Sequence, residues 1–353
     1  MEKIIIIIIS IYSFILAEKG WIKTYGSDEK DFANSIIETN DGGKLLIGYT
    51  NSFGNGGGDI WLVKTNSNGG EEWNQFYGGS QLDIGLKGIQ NENTITILSN
   101  TYSTETKTCD IMLLTINSIG EVIWQKTYGD TNNDIATNFI QLDNGNFLIT
   151  GRTDISANNQ DALIIQTDSR GNIIWSVSHG GTKNEVANSI IQSKNNDFIF
   201  IGNTFSYDLD RTPKKRGFIS NFFRPFKREK PNEEIWIVKI NKSGKKIWHR
   251  TFGGKKSEQG QNIFHGESNG YILVGSSKTY GKGDENIWIV GIDYEGKKIW
   301  EKTESNKKEL TPTSSHQLSD KSIIILAKHN QKKIDQYLIY KFNNKGTFIS
   351  KSN

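Results

Sequence analysis

The stretch Asp59–Trp73, DIWLVKTNSNGGEEW, decides the fold because the chain keeps returning to it. It recurs as DIMLLTINSIGEVIW (Asp110–Trp124), DALIIQTDSRGNIIW (Asp161–Trp175), EIWIVKINKSGKKIW (Glu234–Trp248) and NIWIVGIDYEGKKIW (Asn286–Trp300). A worn copy, DQYLIYKFNNKGTFI, covers Asp335–Ile349. The closing tryptophans Trp73, Trp124, Trp175, Trp248 and Trp300 are 51, 51, 73 and 52 residues apart, and Trp21 lies 52 before the first. A period of about 50 marks a repeat architecture in which no unit can bury its apolar face alone.

Outward from that stretch, the first unit divides into four short strands: DFANSIIET (Asp31–Thr39), KLLIGYT (Lys44–Thr50), DIWLVKT (Asp59–Thr65) and EEWNQFYG (Glu71–Gly78). The turns Asn40–Gly43 and Asn66–Gly70 supply the Asn, Asp and Gly that tolerate positive φ, and such short links force antiparallel neighbours. Stacking four-stranded sheets radially buries their faces and leaves only short edges, so the pattern predicts an all-β chain folded as a β-propeller. The third strand occurs six times, at Trp61, Met112, Leu163, Trp236, Trp288 and Tyr337, which predicts six blades. The closing strand has a degenerate last copy at Phe348, and Lys19–Tyr25 (KGWIKTY) is a spare strand able to clasp the ring. Each opening strand carries a small residue two after an acid: Asp31-x-Ala33, Asp83-x-Gly85, Asp134-x-Ala136, Glu185-x-Ala187 and Glu258-x-Gly260. Crowding is worst at the axis, so that strand is placed innermost and the Trp strand outermost. The sixth unit, Leu310–Leu318 with Pro312, lacks the signature and is expected to be irregular.

Composition agrees. The 353 residues are 35% hydrophobic with 36 Gly and only 4 Pro, which suits many short strands and glycine turns. Met1–Ala17 has Lys3 and then an apolar run from Ile4 to Leu16, too short to span a bilayer. It reads as a signal peptide cut after Ala17, with 18–353 forming the propeller domain; the bulky Ile15 before the cut leaves a retained anchor as the alternative. Cys109 is the only cysteine, so no intrachain disulfide forms, and it reads as a semi-buried structural thiol.

Net charge is +3, but residues 211–230 hold eight Lys/Arg against one acid, so a mildly acidic body bears one basic appendage. This insert (208–233) explains the 73-residue spacing and falls between the second and third strands of the fourth unit. Phe218, Phe222, Phe223 and Phe226 would line one side of a short helix flanked by Lys and Arg. Arg211, Lys214, Lys215, Arg216, Phe222, Phe223, Arg224, Lys227 and Arg228 are the candidate partner-binding residues, suited to an anionic membrane surface or partner.

Laid out this way, the chain resembles the β-propeller repeat proteins exported by bacteria and archaea. The matching residues are Tyr77-Gly78-Gly79, Ser35-Ile36-Ile37, Asp41-Gly42-Gly43, Gly151-Arg152-Thr153 and Asp59-Ile60-Trp61-Leu62-Val63-Lys64, over about residues 19–350. The resemblance implies the fold and a generic surface or envelope binding module. The turn Asp168-Ser169-Arg170-Gly171 is also similar to the docking turn of quinoprotein propellers. Those have Thr before the Gly, where this chain has Asn68, Ile119, Arg170, Ser243 and Glu295, so no bound quinone or other cofactor is expected.

The five opening acids form a possible cation ring, but recurrence in each unit points instead to acids that accept backbone N–H bonds in their own turns. Of the histidines, His179 fills the slot of Tyr25, Tyr77, Tyr128 and Phe252; His265 and His316 lie near inner-strand ends; His249 and His329 read as exposed. No zinc spacing, carboxylate dyad, nucleophile elbow or phosphate loop is present in the sequence. The expected function is therefore a non-enzymatic, exported binding or scaffold module of the cell envelope. It would contact a protein, glycan or membrane surface, not nucleic acid, through one propeller face and the insert. A secreted polysaccharide hydrolase or lyase at the channel mouth, and a multivalent lectin with equivalent pockets between blades, are the alternatives.

Overall fold

The computed structural model describes residues 22–26, 29–206, 232–267, 270–305, 309–331 and 334–352. Six sheets, each of four antiparallel strands in chain order, form the blades of a β-propeller: 31–77, 83–128, 134–179, 185–252, 258–304 and 310–352. The expected signal peptide (1–17) and the Lys19–Trp21 part of the expected clasp lie outside the described residues.

Turn chemistry builds each outer hairpin in the same way. Asn66 Oδ1 accepts the N–H groups of Asn68 and Gly70, both at 2.9 Å, and Gly69 then turns at φ 73°. Asn117, Asp168, Asn241, Asp293 and Asn343 repeat that side-chain acceptance in the other blades. A short polar side chain that mimics a backbone turn, followed by a glycine free to take positive φ, fixes the hairpin from local sequence alone.

The second and third strands carry the core. Apolar residues fill five junctions: 1/2 (with Ile47 and Ile97), 2/3 (Leu113 and Phe147), 3/4 (Ile164 and Trp236), 4/5 (Ile237 and Trp288) and 5/6 (Ile289 and Tyr340). Each fully buried Ile or Leu there contributes roughly 1.5–3 kcal/mol. The junction between blades 6 and 1 differs. Tyr337 and Ile339 occupy the register positions of Ile60 and Leu62, but are 55% and 42% exposed where the latter are 0%. Ala33, whose counterparts Ala136 and Ala187 are buried, is also exposed.

Two expectations are corrected here. Ile22–Gly26 pairs with no strand; instead Tyr25 Oη donates to the Gly69 carbonyl at 2.6 Å, as Tyr77 does to Gly120 and Tyr128 to Gly171. Residues 22–26 thus touch blade 1 through Tyr25 as an outer-strand tyrosine would, without strand pairing. In blade 6, Lys341 pairs with Ser350 as Lys64 pairs with Trp73, so Ser350 and not Phe348 stands in the tryptophan slot. That outer strand, Phe348–Ser352, is the shortest in the ring at 5 residues, in keeping with an irregular last blade.

Candidate functional site: the axial cavity

Each opening strand breaks register after its third residue, between Ala33 and Ser35 in blade 1, Gly85 and Lys87 in blade 2, and Pro312 and Ser314 in blade 6. Such a bulge ejects one unpaired residue and re-aims its side chain. The ejected Asn34, Leu86, Thr137, Asn188, Gln261 and Thr313 all line a central cavity of about 620 Å³ bordered by all six blades.

Four of these six side chains reach to the next blade. Asn34 Nδ2 donates to the Gly85 carbonyl at 2.8 Å, Thr137 Oγ1 to Ala187 at 2.5 Å and Asn188 Nδ2 to Gly260 at 2.6 Å, while Gln261 Nε2 donates to Pro312. In blade 2 the ejected residue is apolar, and the neighbouring Lys87 bridges to blade 3, donating to Asn138 Oδ1 at 2.7 Å. Thr313 turns back to Leu326 of its own blade, so the belt does not continue from blade 6 to blade 1.

Amide and hydroxyl groups dominate the cavity wall, which includes Lys87 and His316 but no carboxylate. Burial lowers the pKa of the Lys87 ammonium. This wall can hydrogen-bond a polar group and offer it one cation; it lacks the carboxylate pair that glycoside hydrolysis uses. Sequence reading missed these residues, although the signal was present as the position just after each acid-x-small triplet.

The opening acids lie elsewhere. Asp83 accepts the Gly79 N–H at 2.8 Å, Glu185 that of Gly181 at 2.7 Å and Glu258 that of Gly254 at 2.8 Å, each buried at a blade junction. Thr50, Thr204 and Ser277 add hydroxyl donors to Asp31, Glu185 and Glu258. Three of these acids face one on a third strand: Gly78 lies between Asp59 and Asp83, Gly180 between Asp161 and Glu185, and Gly253 between Glu234 and Glu258. Burial, and then the Glu185 charge, push the Asp161 carboxyl up to about 6. Its raised pKa favours the protonated form in the fold, so the ionisation penalty is absent below about pH 4 and complete above about pH 6. Blade 5 already has Asn286 at this position, buried. Asp161→Asn should therefore raise Tm at pH 7 by on the order of 2 °C and leave it unchanged at pH 4; thermal scans at the two pH values check this.

His249 and His329 are not exposed as expected. The Trp236 indole N–H donates to His249 Nδ1 at 3.2 Å, and His329 is buried opposite Leu310, in the position where Thr50 faces Asp31. His179 holds the tyrosine slot, its Nε2 3.0 Å from the Gly244 carbonyl and its ring against Phe200. Cys109 is fully buried rather than semi-buried, and burial pushes its thiol up to about 11. The insert residues Arg211, Lys214, Lys215, Arg216, Phe222, Phe223, Arg224, Lys227 and Arg228 lie outside the described residues. Their stems, Thr204 and Glu234, pair at one end of blade 4.

No protein family profile and no curated protein sequence matches the chain. Solved structures match in shape. A puromycin hydrolase complexed with PGG aligns at TM-score 0.51 and 10% identity, covering 92% of this chain and 46% of its own, so the chain spans about half of that enzyme. The β-propeller domain of the Trilobed protease from Pyrococcus furiosus aligns at TM-score 0.47 and 10% identity, covering 92% and 93%. YCF48 bound to D1 peptide aligns at 0.49 and 8%, covering 92% and 82%. At such identities the likeness concerns the fold alone.

Proposed function

We propose that the chain is a non-enzymatic binding or scaffold module, exported to the cell envelope, that holds a polar group of its partner at the axial cavity. The basic 208–233 insert would add contacts to an anionic protein, glycan or membrane surface. The observation that carries this reading is the cavity wall, where six bulges turn side chains to the axis and none of the lining residues is a carboxylate. Such a wall offers orientation and hydrogen bonds to a polar group.

Deleting residues 211–230 should leave Tm and the β-sheet circular dichroism signal unchanged while reducing capture of envelope fractions by about tenfold. Lys87→Met should weaken the remaining capture. Wild-type capture by both variants would sink the proposal. A second reading, a polysaccharide hydrolase or lyase, draws support from Lys87 itself: a buried amine with a lowered pKa that no other blade repeats at this position. Release of reducing ends or unsaturated sugars from polysaccharide by the wild type, lost in Lys87→Met, would select it.

A further inference from the structure

At the end of the ring opposite the insert stems, the junction of blades 3 and 4 lacks the buried lysine that blades 1 and 4 place there. In blade 1, Lys64 is buried and its Nζ donates to Asp41 Oδ2 at 2.8 Å and Glu72 Oε2 at 2.6 Å. Lys239 of blade 4 is likewise buried, its Nζ 3.7 Å from Asp197 and 3.5 Å from the centre of the Tyr294 ring of blade 5. In blade 3 this register position, opposite the Trp strand, holds Gln166, and the turn position of Asp41 holds Asn144. A neutral, shorter pair replaces a long ion pair.

The space stays open. A cleft of about 310 Å³ lies between Asn144 and Gln166 of blade 3 and Gln192, Asn196 and Lys242 of blade 4, above an apolar floor that includes Phe198. At three other junctions a hydrogen bond crosses between the blades at this level. Asn40 Nδ2 donates to Glu92 O at 2.6 Å between blades 1 and 2, Asn195 Nδ2 to Tyr294 Oη at 2.8 Å between 4 and 5, and Asn344 Nδ2 to Glu267 Oε1 at 2.9 Å between 5 and 6. Among the described residues no hydrogen bond runs from the 142–146 turn to blade 4. Gln166 is only 8% exposed, and its side-chain amide has no hydrogen-bond partner among the described residues. The amide is open to the cleft, where a bound polar group can pair with it.

We propose that this cleft is a binding site for one saccharide residue. Sugar hydroxyls donate and accept through the same oxygen, so neighbouring hydroxyls can satisfy both ends of the Gln166 amide. Gln192 Nε2 already donates to Asn196 Oδ1 at 3.1 Å and Asn144 Oδ1 accepts the Asn146 N–H at 3.2 Å, which leaves the Gln192 oxygen and the Asn144 amide nitrogen for a ligand. The C–H face of the ring would rest on the apolar floor, which Trp175 backs with its ring centre 6.3 Å from that of Phe198. Asp143 balances Lys242 within the lining, so a neutral ligand fits better than an anion. The volume lies at the lower end of small-molecule sites, which suits one sugar unit and not a folded partner. The proposal narrows the glycan option to a single cleft in place of a multivalent lectin's equivalent ones, and it stands whether or not the axial cavity binds a ligand.

The test is saturation-transfer NMR on the full chain with the methyl glycosides of glucose, galactose, mannose and N-acetylglucosamine at millimolar concentration. Transfer to at least one of them is expected. The double variant Asn144→Asp/Gln166→Lys, which rebuilds the Asp41–Lys64 pair of blade 1, should weaken binding about tenfold or more. Lys242→Tyr, which copies the position of Tyr294 in blade 5, should do the same from an exposed turn and keeps the test valid should the double variant fail to fold. The assignment is overturned by absence of transfer to all four glycosides or by transfer undiminished in Lys242→Tyr.

Discussion

Trp236→Ala should lower stability by about 3–5 kcal/mol, a fall in Tm of roughly 10 °C. Trp236 is 1% exposed within the apolar cluster that joins blades 3 and 4, and its ring meets Phe200 edge-on at a centroid distance of 5.5 Å. Removing the indole opens a cavity that rigid strands cannot close, and it takes away the donor to His249 Nδ1. Differential scanning calorimetry reads the change. A shift of less than about 2 °C would mean that blades 3 and 4 are not packed through this residue.

Leu62→Ala should cost about 2–5 kcal/mol, while Ile339→Ala, at the matching position of blade 6, should cost less than about 1 kcal/mol. Both residues hold matching register positions on the third strand; among the described residues only Leu62 belongs to a buried apolar cluster, with Ile97 and Met112. Trp61 shows the same contrast from the other side of the gap, being half-buried where Trp236 and Trp288 are buried. Chemical denaturation of the two variants in parallel makes the comparison. Equal losses would show that blades 6 and 1 pack in solution as tightly as blades 1 and 2.

Much of the architecture was legible in the sequence. The Asp-x-Trp and Trp strands repeat in order, the Asn/Asp turns close on glycine, and the acid-x-small triplets mark the innermost strand, so six four-stranded blades followed directly. The acids themselves hold the backbone of their own junctions. The candidate site was far less legible. The charged insert is the most conspicuous departure from the repeat, whereas the cavity wall is made of ordinary residues such as Asn34, Asn188 and Gln261. Nothing in their identity separates them from a solvated strand; the bulge that re-aims them does. His329, opposite Leu310 in the strand pair, is likewise buried where its identity suggests a solvated position.

Sequence by itself determined the strands, the turns, their order and the number of blades, because alternation and turn chemistry act over a few residues and are written in each repeat. Only the tertiary structure decided which of the near-identical junctions are filled. That outcome rests on side chains brought together by the ring, such as Asn195 and Tyr294, 99 residues apart along the chain. Where the long reach of Lys64 gives way to Gln166, the same local pattern leaves an opening that no single repeat reveals.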